Sequence, residues 1–256
     1  EVLEKPLAVH VEFDTGMSRL GFEMSELDQV YRSLKGHNKI KVVGVMTHFH
    51  TGEDAAILTG ATFEQLRIFQ NVVETFKSMD VQAHTLNSAG TLIFAQHKGA
   101  KLPHGISPDQ GARPGLALYG VAPVMPQVPV ALKSVMSLRT KTVKYHHLMP
   151  GQSVSYNGTW KATAESVIAA IPMGYADGYH RALSNQGEVL FRGQKAAVVG
   201  NVCMDYFMID VTPIIKSEAI GSLKSEEVTL FGFDAKGNKI ETAAVAKKAK
   251  TIAWEF

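Results

Sequence analysis

LAVHVEFDTGMSRLGF, residues 7–22, carries the reading from which the fold follows. Val9, Val11 and Phe13 alternate with His10, Glu12 and Asp14, the two-residue period of a strand with one apolar and one polar face. The strand ends at Asp14, turns through Gly16 and presents Arg19. A core does not tolerate three unpaired polar groups on one face. Arg19, with a rigid fork of donors, can pair with Glu12 and still grip a substrate carboxylate. A structural salt bridge between the two is the alternative reading.

Working outward, the same pattern of strand then helix repeats. Ser25 with Asp28 has capping-box spacing and opens an amphipathic stretch in which Leu27, Val30, Tyr31 and Leu34 fall at helical intervals. KVVGVMTHF (41–49) reads as a strand, and Thr62 with Gln65 opens a longer helix whose Phe63, Leu66, Phe69, Val72, Val73 and Phe76 share a face. QAHTL (82–86) runs into the helix SAGTLIFAQH, and RPGLALYG (113–120) closes the series as a further strand. Alternating strands and helices predict parallel strands joined by crossover helices. The count is about four such units, whereas a (β/α)₈ barrel takes about 250 residues, so the expectation is a partial TIM-type barrel over residues 1–133. The chain opens almost directly into a strand without a start methionine, which predicts that the rest of the barrel lies upstream.

After the proline-bearing stretch VAPVMPQVPVAL (121–132) the pattern changes. MSLRTKTVKY (136–145), ESVIAAIPMGY (165–175), GEVLFRGQKAAVV (187–199) and YFMIDVT (206–212) read as antiparallel strands with tight turns such as Arg192-Gly193. The fold class is therefore α/β plus β, with a β-rich domain over 134–256. The terminal ETAAVAKKAKTIAWEF reads as a helix that stops abruptly, as if the domain were truncated at its carboxy terminus.

Composition narrows the function. With Lys+Arg 26 against Asp+Glu 24 the formal charge is +2, and no basic stripe interleaved with aromatics supports a nucleic-acid partner. A single cysteine, Cys203, excludes an internal disulfide and any multi-cysteine metal site, which fits a reducing compartment and makes the cytoplasm the expected location. No apolar run reaches the ~18 residues of a membrane helix, and no signal-peptide layout is present.

In a barrel, chemistry collects at the carboxy ends of the strands. Besides Glu12 and Arg19, three clusters qualify. In THFHTGED (47–54) His48 and His50 stand two apart at a strand end, spacing that also suits a metal-dependent hydrolase drawing further ligands from His84, His104 and Asp54. These spacings form no known ligand set, and a structural histidine beside a surface one is the plainer account. Asn87 and Ser88 open a helix directly after a strand, where free backbone N–H groups and the helix dipole favour a phosphate, although a simple N-cap explains them as well. Arg113 is followed by Gly115, which allows backbone to approach a ligand closely. Together these favour an anionic ligand over a metal. In the second half Tyr156 sits in the polar turn GQSVSYNGTW (151–160), where a tyrosine with its ordinary pKa of ~10 is a poor base unless cations depress it.

Taken in order, VEFDTGMSRLG, THFHTGED, NSAG, ARPGLALYG, SVSYNGTW, IPMGYADGYHR and NVCMDYFMIDVT resemble the alanine racemases, pyridoxal-phosphate enzymes of fold type III that combine an amino-terminal (β/α)₈ barrel with a β-rich domain. The resemblance implies two-base proton transfer on a pyridoxal 5'-phosphate aldimine, interconverting L- and D-alanine and supplying D-alanine for peptidoglycan. It further implies that Arg113 donates to the cofactor's pyridine nitrogen. Ser88 and the backbone amides of Gly115 and Leu116 would hold its phosphate. Tyr156 would be one base, with His48 hydrogen-bonded between Tyr156 and Arg113, and Arg19 and the N–H of Met204 would bind the substrate carboxylate. It implies a head-to-tail homodimer, because the tyrosine and the Met204 segment serve the partner's barrel. Three departures stand out. The lysine that anchors the cofactor, with an A-V-V-K-A-N-A-Y-G-H-G-like surround, has no counterpart here, so residues 1–256 alone are expected to be inactive; a non-catalytic fragment is the alternative of a different kind. Glu12 replaces a lysine that is carbamylated in many members and supplies the negative charge directly. Trp254 replaces a second phosphate-contacting tyrosine. No member of the implied site is a metal ligand.

Overall fold

The computed structural model describes residues 5–51, 60–96, 111–123, 130–216 and 218–256. The chain divides into two compact units, Glu1–Lys133 and Ser134–Phe256.

The first unit is built on strands β1 (Leu7–Asp14), β2 (Phe22–Glu23), β3 (Ile40–Met46), β4 (Gln82–Leu86) and β5 (Gly111–Ala112), with helices α1 (Leu27–Leu34), α2 (Ala61–Phe76) and α3 (Ser88–Gln96) between them. The five strands form one sheet in the order β2-β1-β3-β4-β5, every pair parallel. This is the layout of part of a (β/α)₈ barrel. Parallel strands need crossovers, and the amphipathic helices supply them. Phe13 and Val45 from the sheet and Phe69, Val72 and Phe76 from α2 are fully enclosed in one core, with Val30 of α1 against it. Each large apolar side chain so buried contributes about 1.5–3 kcal/mol.

Both predicted capping boxes resolve differently. The box before α1 is formed by Glu23 and Glu26, on a short 3₁₀ turn Met24–Glu26, rather than by Ser25 and Asp28. Thr62 and Gln65 do not cap α2, which starts from Gly60; both are buried and turn their side chains to other segments. RPGLALYG is not a strand: β5 stops at Ala112, and Leu116–Tyr119 coil into a 3₁₀ turn. Pro114 has no N–H for a ladder, and among the described residues Arg113 N donates to Leu86 O. His48 and His50 likewise lie past the end of β3 rather than on it.

The second unit is antiparallel. Its strands are β6 (Leu138–Lys141), β7 (Lys144–Leu148), β8 (Ser153–Val154), β9 (Trp160–Lys161), β10 (Ser166–Ile171), β11 (Glu188–Phe191), β12 (Gln194–Val198), β13 (Phe207–Asp210), β14 (Glu227–Phe233) and β15 (Lys239–Ile240), with helices α4 (Thr212–Ile215) and α5 (Thr242–Ala249). The main sheet runs β15-β14-β11-β12-β13-β10-β7, β6 pairs with β14, and β8 with β9 forms a separate hairpin. Arg192 and Gly193, both at positive φ, make the β11–β12 turn. Ile171, Phe191, Phe207, Ile209 and Val228 are fully buried at its core. The terminal helix is shorter than its composition suggests. Lys250 enters the left-handed region and Thr251 N donates to Ala246 O, which ends α5 and leaves Trp254 exposed in a 3₁₀ turn.

Candidate functional site

Polar groups gather at the carboxy ends of β1, β3, β4 and β5. Asp14 Oδ1 accepts from the N–H groups of Gly16 and Met17, both at 2.8 Å, and these bonds hold its carboxyl below the ordinary aspartate range. Asp14 thus builds the turn and leaves Arg19 exposed beyond it. After β3, Thr47 Oγ1 lies 2.7 Å from Thr15 Oγ1. Gln65, enclosed on α2, donates to Thr15 Oγ1 at 3.2 Å and to His48 O at 2.9 Å, and accepts from His50 N at 3.1 Å. One amide therefore pins the whole strand-end segment 47–50. Sequence periodicity placed Gln65 at a cap; its position on the buried face of α2, between apolar turns, is the signal that distinguishes this role.

Arg113 is the centre of the cluster. Its Nη1 donates to His84 Nδ1 at 2.5 Å and to His84 O at 3.0 Å, and its Nη2 donates to Thr47 O at 2.8 Å. Burial lowers the pKa of Arg113, and the nearby charge of Glu12 works the other way. His84, enclosed in the sheet, is driven down to about 4 by burial and then by Arg113 and His10, so its ring is neutral at neutral pH. His48 is half-buried, and its pKa is lowered by desolvation first, then by Arg19 and Arg113, against a smaller raising effect of Glu12. These influences place Glu12, Arg19, His48 and Arg113 in one neighbourhood. Two expected contacts are not made among the described residues: no hydrogen bond joins His48 to Arg113, whose donors go to His84 and Thr47, and no ion pair joins Glu12 to Arg19.

Asn87 and Ser88 divide the two roles the sequence left open. Asn87 Oδ1 caps α3 by accepting from Gly90 N at 2.9 Å. Ser88 Oγ, free of capping, accepts from the backbone N–H groups of Gly115 at 2.9 Å and Ala117 at 3.2 Å. The amino end of α3 and the 3₁₀ turn after Gly115 are thereby brought face to face. The N–H of Leu116 has no partner among the described residues. With the Gly115 and Ala117 amides turned to Ser88 Oγ, the Ser88 O–H and the Leu116 N–H beside the start of α3 are the donors left for an anion cradle. The set fits a phosphate monoester, and the donor-only guanidinium of Arg113 fits an aromatic nitrogen that accepts.

The metal reading finds little support. Among the described residues no group of three or more His, Cys, Asp or Glu side chains is arranged to hold an ion; Asp54 and His104 lie outside the described residues. No described helix is long and apolar enough to cross a membrane.

In the β-rich unit the candidate residues are presented by backbone. Tyr156 follows Ser155 at φ 63° and precedes Asn157 at φ 61°, conformations that bring the tyrosine out of the turn with 71% of its surface exposed. Ser155 Oγ donates to Asn201 O at 2.6 Å and Asn201 Nδ2 donates to Tyr156 O at 2.9 Å, tying this turn to the Cys203–Tyr206 loop. That loop is stitched to the turn at residues 174–176 by Tyr175 N to Cys203 O and Ala176 N to Met204 O, both at 3.0 Å. The approach is so close that a Cβ on Gly174 would lie 2.1 Å from Met204 O. Ser155, Tyr156 and Cys203–Tyr206 line an open cleft of 390 Å³. Met204 and Tyr206 are exposed beside it, and Met204 N makes no hydrogen bond among the described residues.

A partial (β/α)₈ barrel with an anion-directed cluster at its strand ends, followed by an antiparallel β domain with an exposed tyrosine turn, defines a two-domain fold in search of its family. Residues 1–123 match the family model of the alanine racemase amino-terminal domain, and residues 135–256 that of the carboxy-terminal domain. The chain belongs to the alanine racemase family. It is 38% identical over 256 residues to the alanine racemase of Sorangium cellulosum, covering 97% of this chain and 62% of that protein, and 36% identical over 250 residues to that of a Geobacter species, with 96% and 62% covered. Among solved structures, the alanine racemase of E. faecalis superposes with a TM-score of 0.81 at 31% identity, covering 99% of this chain and 63% of that one. The Bacillus anthracis enzyme with bound L-Ala-P gives 0.79 at 31% identity (98% and 61% covered), and the Bartonella henselae enzyme with covalently bound pyridoxal phosphate gives 0.77 at 28% identity (97% and 62% covered). The chain thus spans about three-fifths of the length of the curated relatives it matches.

Proposed function

We propose that the protein interconverts L- and D-alanine with pyridoxal 5'-phosphate, as a cytoplasmic head-to-tail homodimer that supplies D-alanine for peptidoglycan. The observation that carries this reading is the clamp on Arg113: a half-buried guanidinium fixed by His84 and Thr47 O next to a serine-and-amide anion cradle. In this assignment Ser88, Gly115 and Leu116 hold the phosphate, and Arg113 donates to the pyridine nitrogen. When bound, the cofactor supplies the electron withdrawal that makes the α-proton of an amino acid removable. Because a guanidinium does not release its proton at accessible pH, Arg113 would meet the ring nitrogen as a hydrogen-bond donor without handing it a proton.

Arg19 and the Met204 N–H hold the substrate carboxylate, and Glu12, whose charge acts on Arg113 and His48, steadies Arg19. Tyr156 holds or moves the α-proton at its Oη on one face, and His48 stands beside the arginines, whose charges act on it. Trp254, exposed near the chain's end, has an indole N–H that can only donate and fits the phosphate contact less well than a phenol. The exposure of Tyr156, Met204, Tyr206 and Tyr175 on one unit supports a face that a second subunit covers. The opposing base and the cofactor's lysine belong to the family's first barrel strand, which has no counterpart in residues 1–256.

The test is racemisation of L-alanine by the complete protein and by residues 1–256 alone, each supplied with pyridoxal phosphate. The complete protein turns over, and residues 1–256 give negligible rates. Measurable turnover by residues 1–256, or a borohydride-fixed cofactor on one of its own lysines, contradicts the assignment of roles.

A further inference from the structure

His10, on β1, and His84, on β4, are separated by strand β3, yet His10 Nδ1 lies 2.7 Å from His84 Nε2. The crossing is possible because the β3 residue paired with His10 is Gly44, at a register shift between Val9 and His10. A Cβ on Gly44 would stand 2.1 Å from His10 Nδ1 and 2.6 Å from its Cε1. The imidazole therefore passes directly over the glycine, and no other residue leaves room for it.

The direction of every bond in the resulting row follows from its inner end. Arg113 can only donate, so His84 Nδ1, 2.5 Å from Arg113 Nη1, carries no proton. A neutral His84 then has its proton on Nε2, and that N–H donates to His10 Nδ1, which must itself be bare. The opposite tautomer of His84 would set an N–H against the guanidinium. We propose that His10, admitted by Gly44, is a positioning residue that fixes the tautomer of His84 and through it the placement of Arg113. The depressed pKa of His84 is consistent with a ring that stays neutral in this row. His10 is exposed at the outer end of the row. The inference rests on the proposed role of Arg113 only for its effect on catalysis.

The test is ¹⁵N spectroscopy of the ten histidines in the 256-residue chain, without cofactor, with the His84 signals assigned by their loss in His84→Gln. Wild type shows His84 unprotonated at Nδ1 and protonated at Nε2. His10→Ala and Gly44→Ala, the second leaving both imidazoles chemically intact, convert His84 to a mixture of tautomers. His10→Asn, whose Oδ1 can accept in place of Nδ1, restores the single form. In the complete enzyme His10→Ala lowers kcat by about fivefold, the loss of one net hydrogen bond, and His10→Asn recovers most of it. A proton on His84 Nδ1 in wild type, or a His84 spectrum indifferent to both His10→Ala and Gly44→Ala, overturns the proposal. If the spectra respond as stated and kcat does not move, the positioning stands and it is the assignment of Arg113 to the cofactor that fails.

Discussion

The strand-end cluster of the α/β unit and the Tyr156 turn of the β-rich unit hold their candidate residues by opposite means. In the first, side chains restrain side chains: His84 and two carbonyls clamp Arg113, and the buried amide of Gln65 binds three partners around His48. In the second, backbone does the holding. The Tyr156 turn, residues 174–176 and residues 201–206 are laced by main-chain bonds and an asparagine, and Tyr156 and Met204 project from them with exposed side chains. A preorganised cluster suits groups that must keep one geometry, since a site costs less to assemble when its dipoles are already aimed. Exposed side chains on a rigid loop suit delivery into a site completed elsewhere.

The contrast can be broken from either side. Gly174→Ala attacks the backbone lacing, where the added Cβ would meet Met204 O at 2.1 Å; a forced displacement of this kind costs about 3 kcal/mol. It is expected to lower the melting temperature and to raise KM by moving the Met204 N–H, and unchanged values for both would show that the loop is not held as described. Gln65→Ala attacks the other device. It strips partners from enclosed groups at a cost of about 2 kcal/mol, and faster hydrogen exchange confined to residues 47–50 is the expected signature; exchange spread evenly over the unit would contradict a local clamp. The smallest effect belongs to Glu12→Gln, which removes one charge near the arginines without an ion pair closer than 4.0 Å to Arg19. An increase of KM for alanine of up to about fivefold follows from a partly solvated interaction, and an unchanged KM would remove Glu12 from the substrate-orienting role.

How much of this was legible in the sequence differs along the same line. Backbone-driven features were readable: the alternation in residues 7–14, the apolar face of α2 and the antiparallel runs after residue 133 each arise from local periodicity. Tyr156 was placed in a turn, where it is. The misreadings concern polar residues whose partners are distant in sequence. Gln65 has the spacing of a cap, but its three partners lie 15 to 50 residues away. His84 stood out only as a candidate metal ligand, although its role is set by Arg113 and His10 across the sheet. RPGLALYG has the apolar content of a strand, and Pro114 with the bend at Gly115 ends that strand after two residues. Hydrophobic periodicity reports which face is buried; it carries no information on which distant polar group a buried polar side chain meets.

The proposed head-to-tail dimer sets the strand-end cluster of one subunit to work with the tyrosine turn of another. Its most direct test is complementation in the complete enzyme, with Arg113→Ala and Tyr156→Phe on separately tagged chains and the heterodimer isolated by both tags. Each variant alone is expected to be nearly inactive, since removal of a positioned base costs about 10²–10⁴-fold. In a closed two-fold dimer with shared sites, one of the two sites regains both residues, and the heterodimer recovers about half of the wild-type rate. A heterodimer no more active than either variant would place Tyr156 and Arg113 in the same subunit's site and contradict the account.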